Sequence, residues 1–211
     1  MELERHSPVR TGAIEEVAER ATTRVPDDVL LDAARTCVLA DGVRRTTLTD
    51  IARTAGVSRM TLYRRYSDVR SVLAALMTRE FGALLHRVGT GIDATRPARA
   101  RLVELAVSAV RALNADPLLR TVLDRDAELL LPYVTERLGS TQRLAERVVS
   151  ELLIEGHADG SVRRGAPDAQ ARALLLTVQS FVLSWRPATR DVRSEALLSE
   201  LRHLLDESLK P

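Results

Sequence analysis

Apolar residues recur with the period of an α-helix along most of this 211-residue chain. After Pro26, positions 30, 33, 34, 37 and 38 are apolar, a spacing that puts them on one side of a helix. Similar segments follow, separated by Gly and Pro, while β-branched and aromatic runs are scarce. We therefore predict an all-α fold with longer helices at about 68–88, 98–114, 117–124, 140–158, 168–185 and 191–209, and a less regular piece at 127–138.

Residues 47–66 break this pattern and predict two short helices joined by a tight turn. Thr47 and Asp50 have the T-x-x-D form of a capping box, so the first short helix should begin there. Gly56 supplies the residue without a Cβ that a sharp turn at a helix end favours. In the second helix Leu62 would face inward, and the remaining face is polar and basic. A short basic helix on a small apolar base is suited to entering the major groove of DNA.

Positive charge is concentrated around this pair of helices. Residues 35–70 have a net charge of +5, whereas residues 1–34 have −4 and residues 71–211 have +1. This distribution is expected of a surface that binds phosphate groups. A solvated charged face gives the same count, but the basic window contains the helix pair, which favours the phosphate-binding interpretation.

The sequence contains no pattern typical of an enzyme or of a cofactor site. The four histidines are scattered, Cys37 is the only cysteine, and no Gly-rich phosphate loop follows a strand. We predict a protein that is not an enzyme and has no cofactor or metal. No segment reaches the ~18 uncharged apolar residues needed to span a membrane. The first residues lack the basic-then-apolar pattern of a signal peptide, so we expect a cytoplasmic protein without membrane contact.

Over residues 29–73 the chain resembles the TetR family of bacterial transcriptional regulators. The matching elements are Gly42 with Thr46-Thr47, Asp50-Ile51-Ala52, Ala55-Gly56-Val57-Ser58, and Thr61-Leu62-Tyr63 leading to Tyr66. The resemblance implies an N-terminal three-helix helix-turn-helix domain, followed by a larger helical domain for ligand binding and dimerisation. We expect about nine helices, divided into a flexible arm at 1–25, a DNA-binding domain at 26–70 and an effector domain at 71–211.

The resemblance also implies which side chains contact double-stranded DNA. Thr47 and Thr49 would touch the DNA backbone, and Tyr63 would pack on the sugar-phosphate backbone or a thymine methyl. Arginine can bond bidentately to guanine, whereas methionine makes only apolar contact with a base edge. One departure stands at Val69, where the family usually has a phosphate-contacting lysine. Including the neighbouring arginine as a substitute, the predicted DNA-binding residues are Thr47, Thr49, Ser58, Arg59, Met60, Thr61, Tyr63, Arg64, Arg65 and Arg70.

Tyr63 has an alternative role, because tyrosine also closes small hydrophobic cores. We favour the DNA contact, since Leu62 already fills the inward position. For Tyr66 we favour packing.

The larger domain is predicted to supply a dimer interface and a ligand pocket. The helices at 168–185 and 191–209 of two protomers could form a four-helix interface, as the resemblance implies; their leucines could equally form intrachain core. Gln179 is a polar residue on an apolar helix, and either orients a ligand or makes an interhelical hydrogen bond. The candidate pocket residues are Met77, Phe81, Leu84, Leu105, Ala109, Tyr133, Val148, Leu152, Leu175, Gln179 and Trp185.

These features predict a homodimeric, sequence-specific transcriptional regulator. We expect a repressor that a small apolar ligand releases from a palindromic operator. Few aromatic residues occur in the larger domain, which favours a long fatty-acid-like ligand over a stacked planar one. The alternatives are a constitutive DNA-binding protein without an effector, and a helical lipid-binding protein or enzyme.

Overall fold

The computed structural model describes residues 26–211, and every regular element within that range is a helix. The all-α prediction is therefore confirmed, while the predicted N-terminal arm lies outside the described residues. The longer helices begin and end within three residues of the predicted bounds. The helices are α1 (Asp27–Asp41), α2 (Leu48–Thr54), α3 (Arg59–Tyr63), α4 (Val69–Thr90), α5 (Ala98–Ala115), α6 (Pro117–Arg125), a 3₁₀ turn (Ala127–Leu130), α7 (Leu131–Thr135), α8 (Ser140–Ala158), α9 (Pro167–Leu183), α10 (Trp185–Ala188) and α11 (Ser194–Leu209).

Side chains adjacent to the helix ends explain why several helices begin where they do. Thr47 and Asp50 form the predicted capping box of α2. Asp68 and Ser71 form another at the start of α4, and the Asp116 carboxylate accepts the Leu119 N–H at 2.9 Å at the start of α6. Each cap satisfies backbone N–H groups that the first turn of a helix leaves without partners. The sequence therefore fixes these helix boundaries locally.

The buried side chains form two hydrophobic cores. The first lies among α1, α2, α3, the beginning of α4 and α6; it includes the fully buried Leu30, Val38, Ile51, Leu62, Val72, Leu76 and Leu118. The second lies among α5, α6, α8, α9 and α11, and its most buried members are Leu102, Val107, Val110, Leu153, Ala171 and Leu201. The first core thus draws on side chains beyond residue 70.

Two helices connect the cores. Near its start α4 contributes Val72 and Leu73 to the first core, and further along Phe81 packs against the second. On α6, Leu118 and Val122 belong to the first core and Leu119 to the second. A displacement of either helix therefore changes packing in both cores.

Candidate DNA-binding surface and ligand cavity

The helix pair α2 and α3 has the geometry of a helix-turn-helix. Gly56 adopts a positive φ of 66° in the turn, a conformation that disfavours residues with a Cβ. The Ser58 hydroxyl accepts the Thr61 N–H at 3.1 Å and caps α3. Leu62 is fully buried, whereas Met60 and Tyr63 are 64% and 51% exposed. The side chains of α3 therefore separate into an anchored face and an outward face.

Three predicted DNA-contacting arginines lie open on this side of the molecule. Arg59, Arg64 and Arg70 are exposed, and their side chains make no hydrogen bond or ion pair within residues 26–211. A cation without such a partner has no intramolecular bond to break before it binds phosphate. Arg70 lies next to the half-buried Val69, in the first turn of α4.

The other predicted DNA-contacting residues already have partners. Arg65 is only 19% exposed at its side chain and forms an ion pair with Asp27, which begins α1. The Thr61 hydroxyl lies 2.9 Å from the Ser58 hydroxyl, and the Thr47 hydroxyl donates to Asp50. Thr49 is half-buried. The structure thus places Arg65 between α3 and α1, while the threonines and Ser58 lie at the helix starts.

Local hydrogen bonds and burial shift two pKa values near this surface. The hydrogen bond from Thr47 lowers the pKa of Asp50, with smaller effects from Arg53 and Arg59. Burial raises the pKa of Tyr66, which packs against the first core. The lowered pKa favours the ionised form of Asp50, whose carboxylate is part of the α2 cap.

A cavity of about 570 Å³ lies between α4, α5, α8 and α9. Most of its wall is aliphatic, and no Phe, Tyr or Trp belongs to its lining among the side chains that the structure describes. Five of the predicted pocket residues line it, namely Leu105, Ala109, Val148, Leu152 and Leu175. These five come from three helices that are distant in sequence, so the fold brings them together.

Most of the remaining predicted pocket residues lie outside the lining. Met77 packs against the first core, and Phe81 and Trp185 pack against the second. Leu84 is buried at 4% exposure outside the cavity lining. Two further residues complete the predicted set: Tyr133 belongs to α7, and Gln179 accepts a hydrogen bond from the Gln142 side-chain amide of α8. Of the two roles weighed for Gln179, the structure has the interhelical hydrogen bond.

The cavity also has charged residues that the sequence analysis did not identify. Arg101 of α5 and Glu155 of α8 both belong to the lining, and their side chains form an ion pair at 2.5 Å. Glu151 and His86 are further members. The sequence offered only a weak signal, because each residue sits at the edge of an apolar helix face, where a solvated charge is the ordinary interpretation.

The apolar side chains of α9 and α11 are only partly buried within the chain. Leu198, Leu201, Leu205 and Leu209 of α11 are buried in the second core. By contrast, Leu204 of α11 is 55% exposed and Leu176 of α9 is 52% exposed. The intrachain-core interpretation therefore accounts for most leucines of α11, and leaves one large apolar side chain exposed on each helix.

A buried carboxylate connects the helix-turn-helix unit to the rest of the chain. Asp126, which follows α6, is 2% exposed. Its side chain accepts the Val43 N–H at 2.7 Å and the Arg44 N–H at 3.3 Å, in the loop between α1 and α2. Arg125 also donates to the Ala40 carbonyl at 2.9 Å. The end of α6 is thus hydrogen-bonded to the base of the helix-turn-helix.

No group of three or more His, Cys, Asp or Glu side chains within residues 26–211 is arranged to hold a metal ion. No helix in that range is both long and apolar enough to cross a membrane.

Comparison with known proteins agrees with this architecture. An HTH-type transcriptional regulator of Mycobacterium bovis is 38% identical over 177 residues, covering 84% of this chain and 90% of that protein. FadR of Bacillus subtilis, solved with stearoyl-CoA, aligns with a TM-score of 0.64 at 20% identity, covering 87% of this chain and 100% of that one. The fatty acid degradation regulator FadR of Bacillus halodurans aligns with a TM-score of 0.63 at 21% identity, over 85% and 93%.

At these identities the two solved structures establish similarity of fold alone. The sequence evidence is more specific, because residues 30–76, from α1 to the third turn of α4, match the profile of bacterial regulatory proteins of the tetR family. Together with the mycobacterial relative, this match shows that the chain belongs to the TetR family of bacterial transcriptional regulators, with α2 and α3 as its DNA-binding helix-turn-helix.

Proposed function

We propose that this protein is a homodimeric repressor that leaves a palindromic operator when a small, apolar, fatty-acid-like ligand enters the cavity. The cavity itself is the observation that carries the proposal. Its volume of about 570 Å³ falls in the range of small-molecule sites, and its wall is mostly aliphatic. One of its walls is α4, the helix whose other end packs beneath the helix-turn-helix.

A ligand in the cavity would act on the DNA-binding surface by displacing α4 and α6. Gly82, Leu85 and Gly89 of α4 line the cavity, while Val72 and Leu76 at its other end belong to the first core. A helix transmits a tilt along its length, because every turn is hydrogen-bonded to the next. On the other side α5 lines the cavity and leads into α6, which ends at the Asp126 hydrogen bonds. Ligand entry would thus shift both supports of the helix-turn-helix.

The proposed DNA contacts follow from exposure on α3 and its surroundings. Arg59 and Met60 would face base edges, and Tyr63 would contact the backbone or a thymine methyl. Arg64 and Arg70 would bind phosphates. A side-chain pair of arginine and guanine contributes about 1–3 kcal/mol of discrimination. Arg65 has a second role in this proposal, because its ion pair with Asp27 orients α3 on α1.

Dimerisation through α9 and α11 would give the repressor its specificity. A single helix-turn-helix reads few base pairs, whereas a two-fold dimer reads two half-sites about 34 Å apart. The exposed Leu176 and Leu204 support this choice of interface, because a symmetric contact would cover both.

The ligand class rests on the chemistry of the wall. The described side chains of the wall are mostly aliphatic and include no aromatic ring, which favours an alkyl chain over a planar cation that rings bind through their π-faces. Stearoyl-CoA in the FadR structure of Bacillus subtilis is a further reason to test acyl chains first.

A mobility shift of the full chain on the DNA upstream of its own gene tests the proposal. Excess nonspecific competitor and fixed moderate salt remove purely electrostatic binding. We expect a discrete complex that dodecanoate dissociates, and Arg59→Ala should weaken it by about 1–3 kcal/mol. Arg164→Ala, an exposed arginine in the loop between α8 and α9, is the matched control.

Two outcomes would contradict the proposal. A specific complex that persists when dodecanoate and related acyl ligands are bound would indicate a constitutive DNA-binding protein. If the protein binds the upstream DNA only nonspecifically, the operator would lie elsewhere, and selection of binding sites from random DNA should still yield a palindrome. A selection that yields no palindrome would exclude an operator-specific repressor.

A further inference from the structure

We infer that Arg101 binds an anionic head group of the ligand, and that Glu155 occupies this position in the ligand-free protein. The inference rests on the proposed ligand response and specifies the chemistry of the ligand. It assigns a polar end to a site that is otherwise apolar. The ligand would be an amphiphile with an alkyl tail along the cavity and one negative charge at Arg101.

The charged residues lie together at one end of the cavity. Arg101 is in the first turns of α5, Glu155 is near the end of α8, and His86 is near the end of α4. The end of α8 meets the start of α5, because Asp159, just after α8, accepts the Ala98 N–H there. The short loop 91–97 joins the end of α4 to the same start of α5. That end of α4 is about 25–30 Å from its start beside the helix-turn-helix, given a rise of about 1.5 Å per residue. The tail would therefore point toward the helix-turn-helix.

The two partners of the ion pair are unequally covered. The Arg101 side chain is 20% exposed, whereas the Glu155 side chain is 51% exposed. A guanidinium cannot lose its proton under physiological conditions, so a largely covered arginine requires an anionic partner. Glu155 can turn into water at little cost, because half of it is already solvated. An incoming carboxylate can take its place and leave Arg101 paired throughout.

The nearby Asp159 carboxylate cannot make this exchange. Asp159 accepts the Ala98 N–H at 2.9 Å and the Ser161 N–H at 2.8 Å, and the first of these bonds is the main cause of its lowered pKa. These hydrogen bonds hold the Asp159 carboxylate at the start of α5. Glu151 lies one helical turn before Glu155 and is exposed, so water screens its repulsion of an anion.

A polar groove of about 440 Å³ continues outward from this end. It shares Ala94 and Glu155 with the cavity, and Thr95, Arg96 and Ser161 also line it. Arg96 is exposed and forms no ion pair within residues 26–211. Two sources of negative charge therefore fit the same chemistry: the carboxylate of a fatty acid at Arg101, or the phosphates of an acyl carrier reaching Arg96.

Calorimetric titration of the full chain tests the inference with matched ligands and variants. The ligands are dodecanoate, dodecanol and dodecanoyl-CoA. We expect wild type to bind dodecanoate more tightly than dodecanol. Arg101→Gln should weaken dodecanoate binding by about 10-fold or more, because a charge-assisted hydrogen bond is lost, and leave dodecanol within about twofold. Glu155→Gln should tighten dodecanoate binding, because the competing carboxylate is gone.

A second ion pair on the same helix gives the control. Arg111 and Glu195 are paired at 2.7 Å, and neither lines the cavity. Arg111→Gln and Glu195→Gln should leave all three affinities unchanged. Retained dodecanol binding shows that Arg101→Gln is folded. Arg96→Gln separates the two sources of charge, because it should weaken dodecanoyl-CoA alone if the groove holds phosphate.

The outcomes separate this inference from the proposed function. If wild type binds dodecanoate and dodecanol equally, or if Arg101→Gln weakens both equally, the head-group assignment is wrong while the apolar ligand response stands. Weaker dodecanoate binding by Glu155→Gln would also overturn the assignment. If wild type binds none of the three ligands, both the proposed fatty-acid-like ligand class and the head-group assignment are wrong.

Discussion

Leu62 and Tyr63 are neighbours in α3 but have opposite environments, so substitutions at the two positions should affect different properties of the protein. Leu62 is fully buried in the first core, whereas Tyr63 is 51% exposed. Leu62→Ala should lower the free energy of unfolding by about 2–5 kcal/mol, because it leaves a cavity. Tyr63→Ala should change that free energy by less than about 1 kcal/mol, yet weaken operator binding. Urea unfolding and fluorescence anisotropy on operator DNA measure the two effects.

The same pair of variants checks the interpretation of Tyr63. If Tyr63→Ala destabilises the fold as much as Leu62→Ala does, tyrosine packing is its main role and the DNA contact is wrong.

The Asp159 carboxylate, just after α8, contributes to the pH dependence of stability. The Ala98 N–H, with Ser161, holds the pKa of Asp159 below its ordinary value. A carboxyl whose pKa is lower in the folded state stabilises the fold above its unfolded pKa of about 3.9. That contribution is lost as pH falls through the folded pKa. We therefore expect Asp159→Asn to be less stable than wild type at pH 7, with a difference that shrinks as pH falls below about 3.9.

Thermal unfolding from pH 7 to pH 2 measures this convergence. Asp191→Asn is the control, because Asp191 is exposed and makes no hydrogen bond within the described chain. A constant difference between Asp159→Asn and wild type at every pH would contradict the proposed cause.

At the scale of elements, the contact between α1 and α6 depends on a glycine. Gly42 ends α1 with a φ of 82°, and a Cβ there would lie 2.9 Å from the Asp126 carboxylate and 3.3 Å from Arg125. Gly56 also has a positive φ, with nothing within 4 Å of a Cβ. Gly56→Ala incurs a positive-φ cost of about 1–2 kcal/mol. Gly42 combines its positive φ with a ψ of 171°, a region that is essentially limited to glycine, so its backbone cost alone is about 1–3 kcal/mol. Gly42→Ala should cost more, because it also displaces a buried, hydrogen-bonded carboxylate.

Urea unfolding of the two variants gives the comparison directly. Equal losses would mean that Asp126 moves aside without cost, and the α6 connection to the helix-turn-helix would then be weak.

At the scale of the whole molecule, α9 and α11 each have one large apolar side chain exposed to solvent. Leu204→Arg should produce monomers and weaken operator binding, because a buried charge without a partner opposes association. Ile154→Arg on α8 is the matched control, since Ile154 is 57% exposed and lies outside the proposed interface. Sedimentation velocity distinguishes monomer from dimer. A Leu204→Arg protein that remains dimeric would place the interface elsewhere.

The sequence by itself determined the all-α class, the family and the bounds of most helices. Those features depend on local chemistry. Thr47 with Asp50 caps α2, Gly56 makes the turn, and apolar residues at helical spacing define the buried faces. Residues within a few positions interact through geometry that the helix fixes. For the same reason Ser58 and Leu62 have the capping and anchoring roles expected of them.

Only the tertiary structure decided which apolar side chains share the cavity. Leu105 and Leu152 line it, whereas Met77 and Trp185 pack elsewhere, although all four have the same sequence signature. Helix periodicity reveals that a side chain faces inward, but not which inward face leaves a void. The Arg101–Glu155 pair and the Asp126 hydrogen bonds join residues 54 and 83 positions apart. Such contacts depend on how helices cross, and packing of the whole chain sets that crossing.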